Sequence, residues 1–503
     1  MTKHVIVIGA GFGGLATAIR LLARGFRVTL IEQRDQVGGR AYVYRDKGFT
    51  FDGGPTVITA PWLLDELFAL AGRRREDYFT LVPVDPFYRI FFHDGSSFDY
   101  TGDAHAIGGA YRRVQQRSRR CRGISRIPRA IAPHLRQGLH RTGDYAVPFA
   151  RADAQGRARP GPFAELSNGL QPRLSLCERR PAATGPVLSP ASGGRQSFQT
   201  TSIYALIHHL EREWSVWFAM GGTGAITAAM ERLFLELGRA SPFEAGREIS
   251  TEGRRANGVR LADGSFVPAD AVVCNAEVAA AYQRLIPAEY RRKYTDRKLA
   301  KMRYSMSLVV IYFGTDRRYR DPGVTDLAHH NIILGPRYRE LLADIFDRKV
   351  LADDFSLYLH MPTLTDPSLA PPDGDAFYVL APVPHLGGSV DWDAQRGTYR
   401  DAIMSALEQR FLPDLSRHIV TERMIDPIHF RDELSSYQGS AFSVEPILTQ
   451  SAWFRPHNRS EELDRLYFVG AGTHPGAGVP GVLSSATIVD ELLTNDLGHA
   501  GEP

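Results

Sequence analysis

Three glycines and one acid near the start of the chain carry its plainest chemical instruction. Gly9, Gly11 and Gly14 stand as G-x-G-x-x-G, and Glu32 follows at the end of the next apolar run. Gly9 permits a tight turn, Gly11 lets the backbone approach a pyrophosphate, and Gly14 lets helix and strand pack closely. The helix that begins here presents free N–H groups and a partial positive charge to phosphate. Glu32 is placed to accept hydrogen bonds from an adenosine ribose. Gly38-Gly39-Arg40 comes next, a second close backbone pass followed by a cation suited to phosphates. Gly54-Pro55-Thr56 then forms a turn of its own. At the far end, Gly470-Ala471-Gly472 runs through His474 to Gly478, Pro480, Gly481 and Val482, a loop that must turn sharply or touch something closely.

These loops need rigid elements to hold them. Val5–Ile8 is a β-branched apolar run, as expected of a buried parallel strand. Leu15–Arg24 reads as a helix with Leu15, Ala18, Ile19 and Leu22 on one face, and Arg27–Ile31 as the second strand of a βαβ unit. Leu466–Val469 reads as another apolar strand feeding the last glycine loop, with a helix over Leu483–Leu493 after it. In the middle, a helix is expected over Ala225–Leu237, a strand and hairpin turn over Val259–Gly264, and a buried strand within Ala269–Ala276. Cys274 in that strand reads as a packed core residue. From Ser305 the pattern changes to aromatic-rich strands at Ser307–Gly314, Phe355–Met361 and Ala376–Val383, expected to form an antiparallel sheet. The fold class is therefore α/β: a Rossmann-like dinucleotide domain joined to a substrate domain of antiparallel sheet plus helices.

The motifs together resemble bacterial-type phytoene desaturases, within the amine oxidase and carotene desaturase group of FAD proteins. The resemblance rests on the Gly9 motif, Gly38-Gly39-Arg40, Gly53–Thr59, Ser202–Ile207, Gly335-Pro336-Arg337-Tyr338, Phe442–Asn458 and Gly470–Val482. It implies FAD as cofactor and desaturation of 15-cis-phytoene by successive dehydrogenations toward lycopene. It also implies a quinone or oxygen as electron acceptor, and a cytoplasmic protein associated peripherally with the inner face of the cell membrane. Gly54, Pro55 and Thr56 would pass the flavin. A helix beginning near Gly481 and Val482 would aim its positive end at the anionic edge of the reduced ring. The chemistry is coherent: phytoene offers nothing to hydrogen-bond, so recognition requires an apolar tunnel. Removing hydrogen from an allylic CH–CH pair requires a two-electron acceptor that side chains cannot supply. No catalytic residue is assigned; Glu445 as a base and His474 as a catalyst are weak candidates beside a salt-bridged acid and a turn-ordering histidine.

Composition sets limits. The 503 residues, 43% hydrophobic and 23% charged, suit a soluble protein of more than one domain. The 3 cysteines give no disulfide framework or metal-binding cluster. No signal peptide is expected, since the first strand opens the sequence, and no apolar run approaches the roughly 20 residues of a spanning helix. The expected dinucleotide domain comprises residues 1–85, 215–300 and 460–503; the substrate domain comprises 86–214 and 301–459.

Residues 104–198 depart from this pattern, with 17 arginines, 9 prolines, no lysine and 4 acids. By composition they read as loop or disorder. Three explanations compete: a basic membrane-docking insert, a nucleic-acid-binding arm, disfavoured because aromatics are not interleaved, and a locally shifted reading frame, which is preferred. Arg239–Ile249 is a shorter anomaly where a strand is expected. The rivals to the desaturase reading are an amine oxidase on the same fold and a non-enzymatic binding protein on a degenerate flavin fold. No nucleic-acid partner and no metal are expected.

Overall fold

The structure, a computed structural model, describes residues 2–103, 150–152, 158–160, 205–238 and 245–498. The charge-rich stretch 104–198 lies outside the described residues apart from a two-stranded pairing of Ala150–Ala152 with Ala158–Pro160. Ser202–Tyr204 and Arg239–Glu244 also fall outside them.

The opening residues fold as the apolar pattern dictates. His4–Ile8 is buried along its whole length, the helix Phe12–Ala23 follows at once, and Arg27–Ile31 returns parallel to the first strand. On the other side of His4–Ile8 lies Ala271–Cys274, also parallel, and beyond it Leu466–Phe468. Four strands drawn from the two ends and the middle of the chain thus make one parallel sheet. Val5, Val7, Leu30 and Val273 pack with Leu15, Ile19, Met230 and Leu483 in one core; Ile6, Ile8, Val272 and Phe468 pack with Tyr282 and Leu299 in another. The sheet is covered on both faces, which explains why its strands are apolar without alternation.

The expected helix near Ala225 spans Thr223–Glu236, and the last helix begins earlier than its apolar periodicity suggests, at Val479, running to Leu497. Pro480 sits in its first turn, where a missing N–H costs nothing. Of the shorter anomaly only its end is described, and there a strand begins: Gly246–Glu252 pairs with Arg255–Leu261 through a register irregularity, and Ile249 is buried.

Seven strands form the second sheet, in the spatial order Ile419–Ile425, Ser307–Thr315, Asp375–Val383, Leu357–His360, His330–Ile333, Tyr88–Phe91 and Ser97–Tyr100. The three strands expected from sequence are central in it. The sheet is antiparallel as expected at every pairing but one, where His330–Ile333 runs parallel to Tyr88–Phe91. The two are far apart in sequence, so no hairpin dictates their direction. Apolar side chains pack on both faces of this sheet. Leu81–Pro83, at the expected domain boundary, pairs with Trp217–Ala219 at the start of the next dinucleotide-domain segment.

Candidate active site

A cavity of about 890 Å³ is lined by residues of both sheets, within the roughly 300–1,000 Å³ usual for ligand sites. Of the residues that sequence marks for the cofactor, Gly9, Gly11, Glu32, Gly38, Gly39, Arg40, Gly54, Pro55, Thr56, Gly470, Ala471, Gly478, Pro480, Gly481 and Val482 all line it. Gly14 and Gly472 do not. Gly14 stands behind the wall, where a methyl group would overlap the Gly9 carbonyl oxygen; its task is the close packing of helix on strand. Gly472 packs against Val278 and Ser443.

The glycine loops are sewn together. The Gly38 N–H donates to the Ala10 carbonyl at 2.9 Å, and Gly11 and Gly38 form an isolated parallel bridge. Glu32, buried at the end of its strand, accepts from the Ala10 N–H at 2.7 Å and from the Arg34 N–H at 3.0 Å. The carboxylate thereby locks the first loop and, facing the cavity, keeps acceptor capacity for a ribose. Gly11 gives the first helix no side-chain cap, and Gly478 gives none to the last. Each helix therefore brings uncapped N–H groups to the cavity wall. This cradle fits FAD: an acid, two crossing glycine loops and two helix N-termini along one elongated space.

Arg40 departs from the simple picture of a phosphate clamp. Its Nε donates to the Ala441 carbonyl at 2.9 Å and its terminal nitrogen to Ser436 Oγ at 2.8 Å, tying the second loop to residues 436–441. Burial pulls the guanidinium below its ordinary value, opposed by the Glu277 carboxylate. Glu445 lies outside the cavity lining, buried and paired with Arg303 Nε at 2.8 Å. The salt-bridged reading of Glu445 is thus the one its surroundings support. His474 does line the cavity; its backbone N–H donates to the Pro456 carbonyl, and Asn458 Nδ2 donates to its carbonyl at 3.0 Å. These bonds hold the turn. Cys274 is wholly buried, and burial pushes its thiol up to about 12.

Sequence reasoning missed several polar groups of the cavity. Asp52 accepts from the Thr223 and Gly224 N–H groups at 2.9 and 3.1 Å, capping a helix, and burial pushes its carboxyl up to about 6. Glu211 accepts from the Tyr88 hydroxyl at 2.9 Å, and burial raises it to about 7. Thr56 Oγ1 meets the hydroxyls of Tyr378 and Tyr358 at 2.7 and 3.1 Å. Asp52 could have been suspected from its place before Gly53-Gly54-Pro55. The tyrosines give no such local signal, because sheet register alone brings them to Thr56.

A Rossmann-like sheet, a two-ended glycine cradle and a second sheet closing over it define an FAD-dependent oxidoreductase. The family model for flavin containing amine oxidoreductases matches residues 12–489, and the chain belongs to that family. An oxidoreductase structure from Methanosarcina mazei superposes with a TM-score of 0.59 at 17% identity, covering 97% of this chain and 100% of that one, which shows the shared fold.

Within that class the chain belongs with the bacterial phytoene desaturases. It is 46% identical to a lycopene-forming phytoene desaturase of Pseudescherichia vulneris over 98% of this chain and 100% of the relative. The lycopene-forming phytoene desaturase of Pantoea ananas matches equally at 46%, with the same coverage.

Proposed function

We propose that this protein is an FAD-dependent desaturase that introduces successive double bonds into 15-cis-phytoene, toward lycopene, in carotenoid biosynthesis. The observation that carries the reading is one continuous cavity. It has the glycine cradle along one wall and Leu308, Val310, Leu380, Ile425 and Phe430 of the substrate side along another. A hydrocarbon would be held there by apolar contact alone. When bound, FAD supplies the two-electron acceptor that dehydrogenation requires. Gly9, Gly11 and Glu32 would hold the adenosine and diphosphate, with Gly14 and Gly472 supporting from behind. Gly38, Gly39, Arg40, Gly54, Pro55 and Thr56 would border the middle of the cofactor and its ring. Gly470, Ala471, Gly478, Pro480, Gly481 and Val482 would close over the ring with a helix N-terminus.

We also propose peripheral membrane association on the cytoplasmic face. Leu448, Trp453 and Phe454 are 59%, 48% and 58% exposed, and they flank Ser451 and Ala452, which line the cavity. Exposed apolar groups at a cavity edge suit a protein that takes its substrate from a bilayer. No described helix is long and apolar enough to cross a membrane. Electrons would pass on to a quinone or to oxygen.

Expression in cells that accumulate phytoene, followed by pigment extraction, tests the reading; lycopene is the expected product. Purified protein that oxidises a panel of amines and leaves liposomal phytoene untouched would establish the amine oxidase instead. Protein that stays colourless after FAD addition would point to a non-enzymatic binder.

A further inference from the structure

Behind Thr56 the sheet wall carries a row of hydroxyls and imidazoles that the reaction as described leaves unused. Strand register sets His330 opposite His360, and His360 opposite Tyr378, so their side chains share one face. His329 precedes that strand and joins the group. The polar atoms follow one another closely. Tyr378 Oη lies 2.7 Å from Thr56 Oγ1, and Thr56 Oγ1 lies 3.1 Å from Tyr358 Oη. Tyr358 Oη is 2.7 Å from His330 Nδ1. Further along, His360 Nε2 is 3.0 Å from His329 Nε2, and His329 Nδ1 is 2.6 Å from Thr365 Oγ1. Thr56, Tyr358 and Tyr378 line the cavity. Thr365 is half-buried and adjoins the exposed Leu364.

One step in the row lacks a hydrogen bond. His330 and His360 stack with ring centroids 5.1 Å apart, and one nitrogen from each of the three histidines lies within 4.8 Å of the others. A single water spans such a gap. On the three histidines of this row, the buried nitrogens without a partner are His330 Nε2 and His360 Nδ1. Hydrogen-bond logic makes them complementary. If Tyr358 donates to His330 Nδ1, the His330 hydrogen sits on Nε2. If His329 donates to Thr365, its Nε2 accepts from His360 Nε2–H, which leaves His360 Nδ1 a bare acceptor. An orphan donor on one ring and an orphan acceptor on its stacked neighbour then remain for a water to join, and every link points from the cavity outward.

We propose that Tyr358, His330, His360 and His329 form a proton conduit from the substrate cavity to the surface at Thr365. The inference rests on the desaturase reading. In each dehydrogenation one hydrogen leaves carbon with its electron pair, which the flavin takes up. The electron pair of the neighbouring C–H bond becomes the new double bond, and that hydrogen is released as a proton. Successive desaturations release one proton each, so any acceptor in the cavity must be emptied every cycle. Burial lowers all three imidazoles below their ordinary values. The row is therefore neutral at rest and carries charge only in transit. Three histidines could also ligate a metal ion, but the 3.0 Å contact between His329 and His360 already commits one lone pair to a hydrogen.

The test follows flavin bleaching and proton release together. FAD-loaded protein is mixed without oxygen with phytoene vesicles in weak buffer containing a pH-indicator dye. His329→Gln and Thr365→Val both lie away from the cavity wall, and FAD content and melting temperature report whether each is folded. In the unaltered protein, proton release is expected to keep pace with bleaching; in either variant it should lag or slow about tenfold at unchanged FAD content. Release in step with bleaching in both folded variants overturns the conduit alone. A flavin that phytoene fails to bleach in the unaltered protein overturns the desaturase reading and the conduit with it. A stoichiometric metal ion in the purified protein, lost in His329→Gln, overturns the conduit in favour of a metal centre.

Discussion

The two walls of the cavity are built by different means. The cradle wall is mostly backbone: glycine loops, helix N-termini and one locking acid, Glu32. The sheet wall is side chain: Tyr358, Tyr378 and the histidines behind them, set by strand register. A backbone wall tolerates almost no added volume, whereas a side-chain wall tolerates substitution and changes chemistry instead.

Gly14→Ala should break that contrast most severely, since the added methyl group overlaps the Gly9 carbonyl. No FAD should remain with the purified protein, while Tyr378→Phe should retain it; visible absorbance after gel filtration decides, and full occupancy in Gly14→Ala would refute a rigid cradle. Glu32→Gln should be milder. Its amide can accept from Ala10 or Arg34 but loses the charge-assisted bonds, worth about 1.5–3 kcal/mol. FAD affinity measured by fluorescence quenching should fall roughly tenfold to a hundredfold.

Glu211, which lines the cavity beside Tyr88, sharpens the comparison through pH. Burial raises its folded-state value to about 7 from the ordinary 4.5, so folding favours the protonated carboxyl. Stability should decline as pH rises from about 4.5 to about 7 and level off above, by a few kcal/mol over the window. Glu211→Gln should remove that slope, as thermal melts across the window would reveal; parallel profiles for both proteins would contradict it. The smallest effect on turnover belongs to Glu445→Gln, which lies outside the cavity lining. It should cost about 0.5–1.5 kcal/mol of stability by removing the charge from the bond with the partly exposed Arg303 and leave the rate of flavin reduction by phytoene unchanged. A large loss of rate would restore Glu445 as a base.

The contrast also explains what the sequence could reveal. The cradle was legible because its chemistry is local: Gly9 to Gly14, Gly38 to Arg40 and Gly470 to Val482 are short runs whose spacing states their task. The parallel strands were legible because burial on both faces leaves continuous apolar runs. The sheet wall was not, since His330, His360 and Tyr378 meet only through pairing of distant strands. The parallel union of His330–Ile333 with Tyr88–Phe91 was hidden for the same reason. Arg40 was recognised as a cofactor-loop cation, but its bonds to Ala441 and Ser436 depend on a segment hundreds of residues away.

The account turns on both ends of the chain enclosing one flavin nucleotide. A crystal structure of the FAD-loaded protein tests this most directly. The adenosine should lie at Glu32, the diphosphate at Gly11 and the first helix, and the ring between Thr56 and the Gly478–Val482 turn. A flavin ring seated away from that C-terminal turn would contradict the account.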